Sequence, residues 1–133
     1  ELELISQYSN GWSGSYSVSY QDAELDSGEQ MPNYAQTMAK INLLSPLIAN
    51  QLEVGLELNY EDGRRTLTGA ETDSRVLSNI TLSNNKLVKG LSLAASVYNL
   101  FDEDYSNPGF QEHQQNTLAQ DGRTYRLKVN YKF

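Results

Sequence analysis

Three arginines are the residues best suited to grip a ligand in this chain of 133 residues. Arg64, Arg65 and Arg75 flank one polar stretch, 63–73, and a planar guanidinium fork matches the oxygens of an anion. The same stretch also offers them Glu61, Asp62 and Asp73. Exposed opposite charges commonly sit together at little energetic gain, so internal pairing is the plainer reading. His113, the sole histidine, lies between Glu112 and Gln114 and can touch a ligand or simply be solvated. One histidine and no cysteine exclude a multi-His metal site, a thiolate site, a disulfide framework and a cysteine nucleophile. Asp102, Asp104 and Asn107, followed by Pro108-Gly109, have the flavour of a calcium loop. The Gly and distant acid of a full EF-hand loop are missing at their offsets, so a solvated turn is expected and no metal. No nucleophile elbow and no phosphate loop is present, so neither an enzyme nor a cofactor is expected. Asn79-Ile80-Thr81 matches a glycosylation sequon and is assigned no role.

The elements that would carry these side chains are strands. Tyr125, Leu127, Val129, Tyr131 and Phe133 alternate with Arg126, Lys128, Asn130 and Lys132. Leu52, Val54, Leu56, Leu58 and Tyr60 alternate with Glu53, Gly55, Glu57 and Asn59. Trp12 through Tyr20 interleaves Trp, Gly, Tyr, Val and Tyr with four serines. A helix of period 3.6 would scatter these sets, whereas a strand of period two puts each on one face. Weaker alternation fills the rest and predicts seven strands, roughly 1–8, 12–22, 34–44, 51–62, 74–83, 90–101 and 121–133.

Short and long connections alternate along the chain. Asn10-Gly11, the stretch from Ser45-Pro46 to Asn50, and that from Asn84-Asn85 to Lys89 are short and rich in turn formers. The stretches 23–33, 63–73 and 102–120 are longer and polar. An up-and-down outer-membrane barrel, with short periplasmic turns and long extracellular loops, obeys this rule. The long loops and their shoulders hold Asp22, Glu24, Asp26, Glu29, Glu61, Asp62, Glu71, Asp73, Asp102, Glu103, Asp104 and Glu112, most of the 17 acids, while the third short turn holds Lys86 and Lys89. Trp12, Tyr8, Tyr131 and Phe133 fall near one rim, and Tyr20, Tyr34, Tyr60 and Phe101 near the other, as two interfacial girdles would. A net charge of −7 argues against a nucleic-acid partner. A mean hydropathy of −0.58 suits a soluble domain by its average, but lipid-facing and lumen-facing residues cancel in a barrel strand. The chain opens on Glu1 directly in an alternating segment, which reads as an excised piece.

Specific residues add to the pattern. Val97-Tyr98-Asn99-Leu100-Phe101-Asp102-Glu103-Asp104-Tyr105, a polar loop, then Asp121-Gly122-Arg123-Thr124-Tyr125-Arg126-Leu127 ending at Phe133 resembles the C-terminal end of TonB-dependent outer-membrane receptors. Met31-Pro32-Asn33-Tyr34 and Tyr60-Glu61-Asp62-Gly63-Arg64 resemble the hairpins that precede it in that family. The resemblance implies an antiparallel up-and-down meander of about seven strands, the last seven of a 22-stranded transmembrane β-barrel that cannot close alone. Residues 1–133 would then be the C-terminal barrel segment, with the plug domain and the N-terminal barrel strands absent. The implied partners are the outer membrane and its lipopolysaccharide, the TonB complex through the absent N-terminal region, the barrel-assembly machinery, and an imported small ligand such as a ferric siderophore, cobalamin, haem or oligosaccharide.

On that resemblance Leu127, Val129, Tyr131 and Phe133 would form the barrel-assembly signal, an apolar strand edge ending in an aromatic. Lys40, Glu53, Glu57, Arg126, Lys128 and Lys132 would line the lumen and face the plug; a solvated, mutually paired polar face is the plainer alternative. Arg64, Arg65, Arg75 and His113 would be the ligand contacts. The competing class is a soluble β-sandwich binding module, with Tyr and Trp as platforms for carbohydrate. An outer-membrane location is expected under the first reading and a soluble one under the second.

Overall fold

The computed structural model describes residues 1–47 and 52–133 and, for 85–87, the backbone alone. Seven strands form one antiparallel sheet in chain order: β1 (Leu2–Gln7), β2 (Ser13–Tyr20), β3 (Thr37–Leu47), β4 (Leu52–Glu61), β5 (Arg75–Val88), β6 (Leu91–Tyr98) and β9 (Thr124–Tyr131). Two three-residue strands, β7 (Ser106–Pro108) and β8 (Thr117–Ala119), pair only with each other inside the last long loop. This is the open meander that the alternation predicts. No second sheet covers it among the described residues, so the β-sandwich alternative is not favoured.

The register carries the two faces across the whole sheet. Leu4 opposes Tyr16, Tyr16 opposes Ile41, Ile41 opposes Leu58, and Leu58 opposes Ser78. Leu43, Leu56, Ile80, Val97 and Tyr125 form the next apolar row, and Leu93 with Val129 continues a lower one. Residues directly opposite in a ladder project from the same side, so one face is a continuous apolar band. The other face carries Ser17, Lys40 and Asn59 in one row and Ser15, Asn42, Glu57 and Asn79 in another. The ten residues of β4 match the 9–11 of a tilted membrane-crossing strand. No helix among the described residues is long and apolar enough to cross a membrane.

Burial shows what this sheet lacks. Ala35 is the one buried hydrophobic side chain among the described residues, and it lies in a loop. The other buried residues singled out are polar: Ser45, Thr66, Ser78, Ser96 and Asn99. Leu4, Tyr125 and Leu127 are 61%, 74% and 73% exposed. A contiguous apolar surface of this extent marks contact with a partner or a bilayer.

Several boundaries differ from expectation. The stretch from Ser45 was expected to turn, yet Ser45, Pro46 and Leu47 stay in β3, opposite Val54, Glu53 and Leu52. The last β2 partner is Leu44, so Pro46 has a neighbour on one side only, the edge-like position that tolerates a missing N–H. The remainder of that expected turn lies outside the described residues. Asn84 likewise begins no turn: β5 runs on to Val88 with a register shift between Asn84 and Val88, and Gly90, at φ 81°, makes the bend. β6 stops at Tyr98 rather than 101, because Asn99 takes φ 50° and leaves the extended region.

Residues 99–102 form a turn stitched by its own side chains. The Asn99 side chain accepts from Glu103 N and donates to Glu103 O, both at 2.8 Å. Asp102 also sits at positive φ, 59°, and its Oδ1 accepts the Arg123 N–H at 2.6 Å. That bond joins the turn to the foot of β9. Gly122 permits it, because a Cβ there would stand 2.7 Å from Asp102 Oδ1. Gly122→Ala should therefore displace Asp102 and free the Arg123 amide, at about 1.4 kcal/mol. Its exchange with solvent is expected to accelerate about tenfold, and Asp102→Ala should reproduce the effect.

Candidate functional site at the long-loop rim

Three loops meet at one end of the sheet: 21–36, 62–74 and 99–123. The first two are built alike. In one, Leu25 N donates to Glu29 O, Gly28 N to Leu25 O and Met31 N to Ala23 O. In the other, Thr66 N donates to Ala70 O, Gly69 N to Thr66 O and Thr72 N to Arg64 O. Gly28 and Gly69 take positive φ at matching places, where a side chain would be strained. Each loop is thus a small hairpin with its own bridge, Glu24 with Gln30 and Arg65 with Glu71. The sequence marks both only as long polar connections, since two-residue pairings leave no periodic trace.

Arg64, Arg65 and Arg75 lie within this rim, and all three are engaged. Glu61, at the end of β4, is the anchor. Arg75 Nη2 donates to both of its carboxylate oxygens at 3.0 Å, and Arg64 pairs with it from three residues on. The Arg75 guanidinium also lies 4.7 Å from the centre of the Tyr105 ring and donates to Ser106 O at 3.3 Å. Its side chain is only 10% exposed. Arg75 therefore fastens the third loop to the β4–β5 hairpin. Arg64 reaches Asn33 Oδ1 at 3.2 Å, and Arg65 O accepts from Asn33 N at 2.7 Å. The more exposed Arg65 guanidinium stands 3.7 Å from Glu29. Thr68 donates to Asn116 Oδ1 at 2.8 Å, joining the second and third loops. Of the expected acidic partners Glu61 pairs with Arg64 and Arg75, whereas Arg65 faces Glu29, which was not among them. Tyr105, Asn33 and Asn116 were not anticipated, because their contacts cross between loops far apart in sequence.

His113 is exposed, and its backbone N–H donates to Phe110 O. A cleft of about 520 Å³ opens between the second and third loops, its lining including Glu71, Asp73, Glu103, Asp104, Arg75 and Tyr105. Among the described residues no cluster of three acids or histidines is arranged to hold a metal. Asp102, part of the calcium-like run, is committed to Arg123 N, and Ser106–Pro108 is strand.

Asp62 closes the sheet beneath this rim. Tyr60 OH donates to its Oδ1 at 2.5 Å and Thr37 N to its Oδ2 at 3.1 Å, while Asp62 N returns a bond to Thr37 O. The Tyr60 hydroxyl first, and Thr37 second, hold the carboxyl below its ordinary range.

Below the rim, Lys40, Glu53, Glu57, Arg126 and Lys128 share the polar face, and Lys132 continues its alternation one residue past β9. Asn79 donates to Glu57 Oε2 at 3.1 Å, and Asn79 Oδ1 accepts from Asn99 N at 3.0 Å. The wall is thereby wired to the 99–102 turn. Leu127, Val129 and Tyr131 project from the opposite, apolar face of β9, and the Tyr131 and Phe133 rings meet edge to face at 5.0 Å.

No family model and no curated protein matches the chain. A solved structure does: the siderophore receptor PiuA from Acinetobacter baumannii superposes with a TM-score of 0.80 at 21% identity. The match covers 98% of this chain and 21% of that one, so the chain spans about a fifth of the receptor's length. The seven-stranded meander is thus the fold of one stretch of that receptor.

Two tests address the rim. Arg75→Ala should loosen residues 103–108 by about 2 kcal/mol, read as amide exchange there, because it strips a charge-assisted pair and a cation–π contact. Arg75→Lys should not restore the protection, since one ammonium cannot make the forked contact and stack on Tyr105 together. For Asp62 the folded pKa lies below the unfolded one, so its contribution is complete above the ordinary carboxylate range and is lost as pH falls through the lowered value. Protection of the Thr37 amide, corrected for intrinsic exchange, should be flat from pH 7 to 5 and drop several-fold in the acid region. Asp62→Asn should abolish that step.

Proposed function

We propose that this chain is the C-terminal barrel segment of a TonB-dependent outer-membrane receptor that imports a small ligand, a ferric siderophore foremost. The observation that carries the proposal is the continuous apolar face left uncovered by a single-layer sheet, together with the superposition on a siderophore receptor. A bilayer would cover one face of such a sheet while the other stays wet, and closure into a barrel would satisfy both edges. The apolar band would face the bilayer, the long loops the exterior with its lipopolysaccharide, and the polar face a plugged lumen. Energy would come through the TonB complex, engaged by residues outside this segment. Leu127, Val129, Tyr131 and Phe133 would be read by the barrel-assembly machinery before insertion. The loops would act by binding alone, with no catalysis. Arg65, whose carboxylate partner is exposed, and His113 are the side chains of the candidate set freest to meet a ligand. Cobalamin, haem and oligosaccharides are the other ligands of this class.

Adjacent residues on opposite faces give the test. In the parent protein Leu56→Arg should cost about 2–4 kcal/mol of insertion, the charge of a lipid-facing strand centre, and remove the protein from the outer-membrane fraction. Glu57→Arg should leave fractionation unchanged. Deletion of the parent gene should abolish iron-limited growth on one ferric chelate. Equal tolerance of both substitutions, or recovery of the wild type in the soluble fraction, would sink the proposal.

A further inference from the structure

The polar face of β9 presents Arg126 and Lys128, and Lys132 follows one residue beyond the strand. A residue inside a sheet has a cross-strand neighbour on either side, about 4.5–5.5 Å away between Cβ atoms. β9 ends the sheet and has a neighbour on one side only, β6. There Ser96 opposes Arg126, Ala94 opposes Lys128 and Ser92 opposes Asn130. None is acidic. Arg126 turns instead onto Tyr98, its guanidinium 5.2 Å from the ring centre. Lys128 and Lys132 form no ion pair among the described residues. The polar-face acids Glu53 and Glu57 lie on β4, with β5 and β6 intervening, about 14 Å away at the usual strand spacing. The cationic row therefore has its vacancy on the outer side, along the same edge that carries the unpaired backbone groups.

We propose that the free edge of β9 pairs, in the full protein, with a strand of the same polypeptide outside these 133 residues whose lumenal face carries carboxylates opposite Lys128 and Lys132. This rests on the barrel-segment reading and adds to it the chemistry of the closing partner. A second copy of the chain fits worse in either arrangement. Two β9 edges related by a two-fold axis would set the cationic row against itself, and like charges directly opposite destabilise a pair. β1 carries Glu3 on the polar face, which suits the charge. Yet β1 and β9 are separated by an even number of antiparallel steps and run the same way, so their union would place a parallel pair in an antiparallel sheet.

Zero-length carbodiimide coupling tests the proposal, since it joins a lysine amine only to a carboxylate in contact. Applied to the full-length protein in detergent micelles and read by peptide mass mapping, it should link Lys128 to an Asp or Glu outside this segment, within an alternating stretch. The carboxylate linked to Lys132 should precede it in sequence, as antiparallel pairing requires. The Lys128 product should fall several-fold in 1 M salt and vanish in Lys128→Arg with assembly intact. Lys128 left uncoupled while other lysines react, or coupled within residues 1–133 or to a non-alternating lumenal segment, would overturn the inference. Mobility of the unheated sample on a denaturing gel separates the two claims. A compact barrel without the link defeats only this inference, whereas a sample that never runs as a compact barrel defeats the barrel reading and this inference with it.

Discussion

Because the cross-strand ladder runs unbroken from β1 to β9, and among the described residues no second layer lies over either face, the sheet must obtain from its surroundings what a globular domain obtains from a core. Hydrogen bonding holds its strands in register, but the apolar rows from Leu4 to Val129 gain nothing until something non-aqueous covers them. This requirement explains the polar character of what is buried. Ser78, Ser96, Thr66 and Asn99 are enclosed by neighbouring strands and loops, while the large hydrophobics point away from the protein. The side chains that fix geometry are accordingly polar ones at strand ends, where Asp62, Glu61, Asn99 and Asp102 each hold two segments together.

The rim follows from the same shortage. A loop with no core to rest on keeps its shape through internal bonds and through its neighbours. The first two loops fold back as hairpins, and Arg75 clamps the third through Glu61, Tyr105 and Ser106 together. Cations that would be natural ligand contacts are spent on loop architecture, and the surface left facing outward is largely acidic.

The sheet was legible in the sequence because its two environments differ so sharply. Successive residues of β4 and β9 alternate between apolar and polar, and period two survives without any tertiary knowledge. What the sequence concealed was decided by single residues. Pro46 reads as a turn former, yet it lies beyond the reach of β2 and costs the ladder nothing there. Asn99 reads as part of a strand running to 101, although its positive φ starts the turn that meets Arg123 more than twenty residues on. Among the arginines, sequence narrowed the partners of Arg64 and Arg75 to three nearby acids but could not choose Glu61, because only the β4–β5 register brings Arg75 opposite it.

The twin hairpins of the first two loops each close on an isolated bridge, Glu24–Gln30 and Arg65–Glu71, and their tips bond to neighbouring loops, Arg65 to Glu29 and Thr68 to Asn116. Such a tip can be lengthened, shortened or exchanged without moving a single rung of the wall. Evolution can therefore redraft the rim at the pace of a surface loop, while the sheet beneath drifts only as fast as its alternation allows.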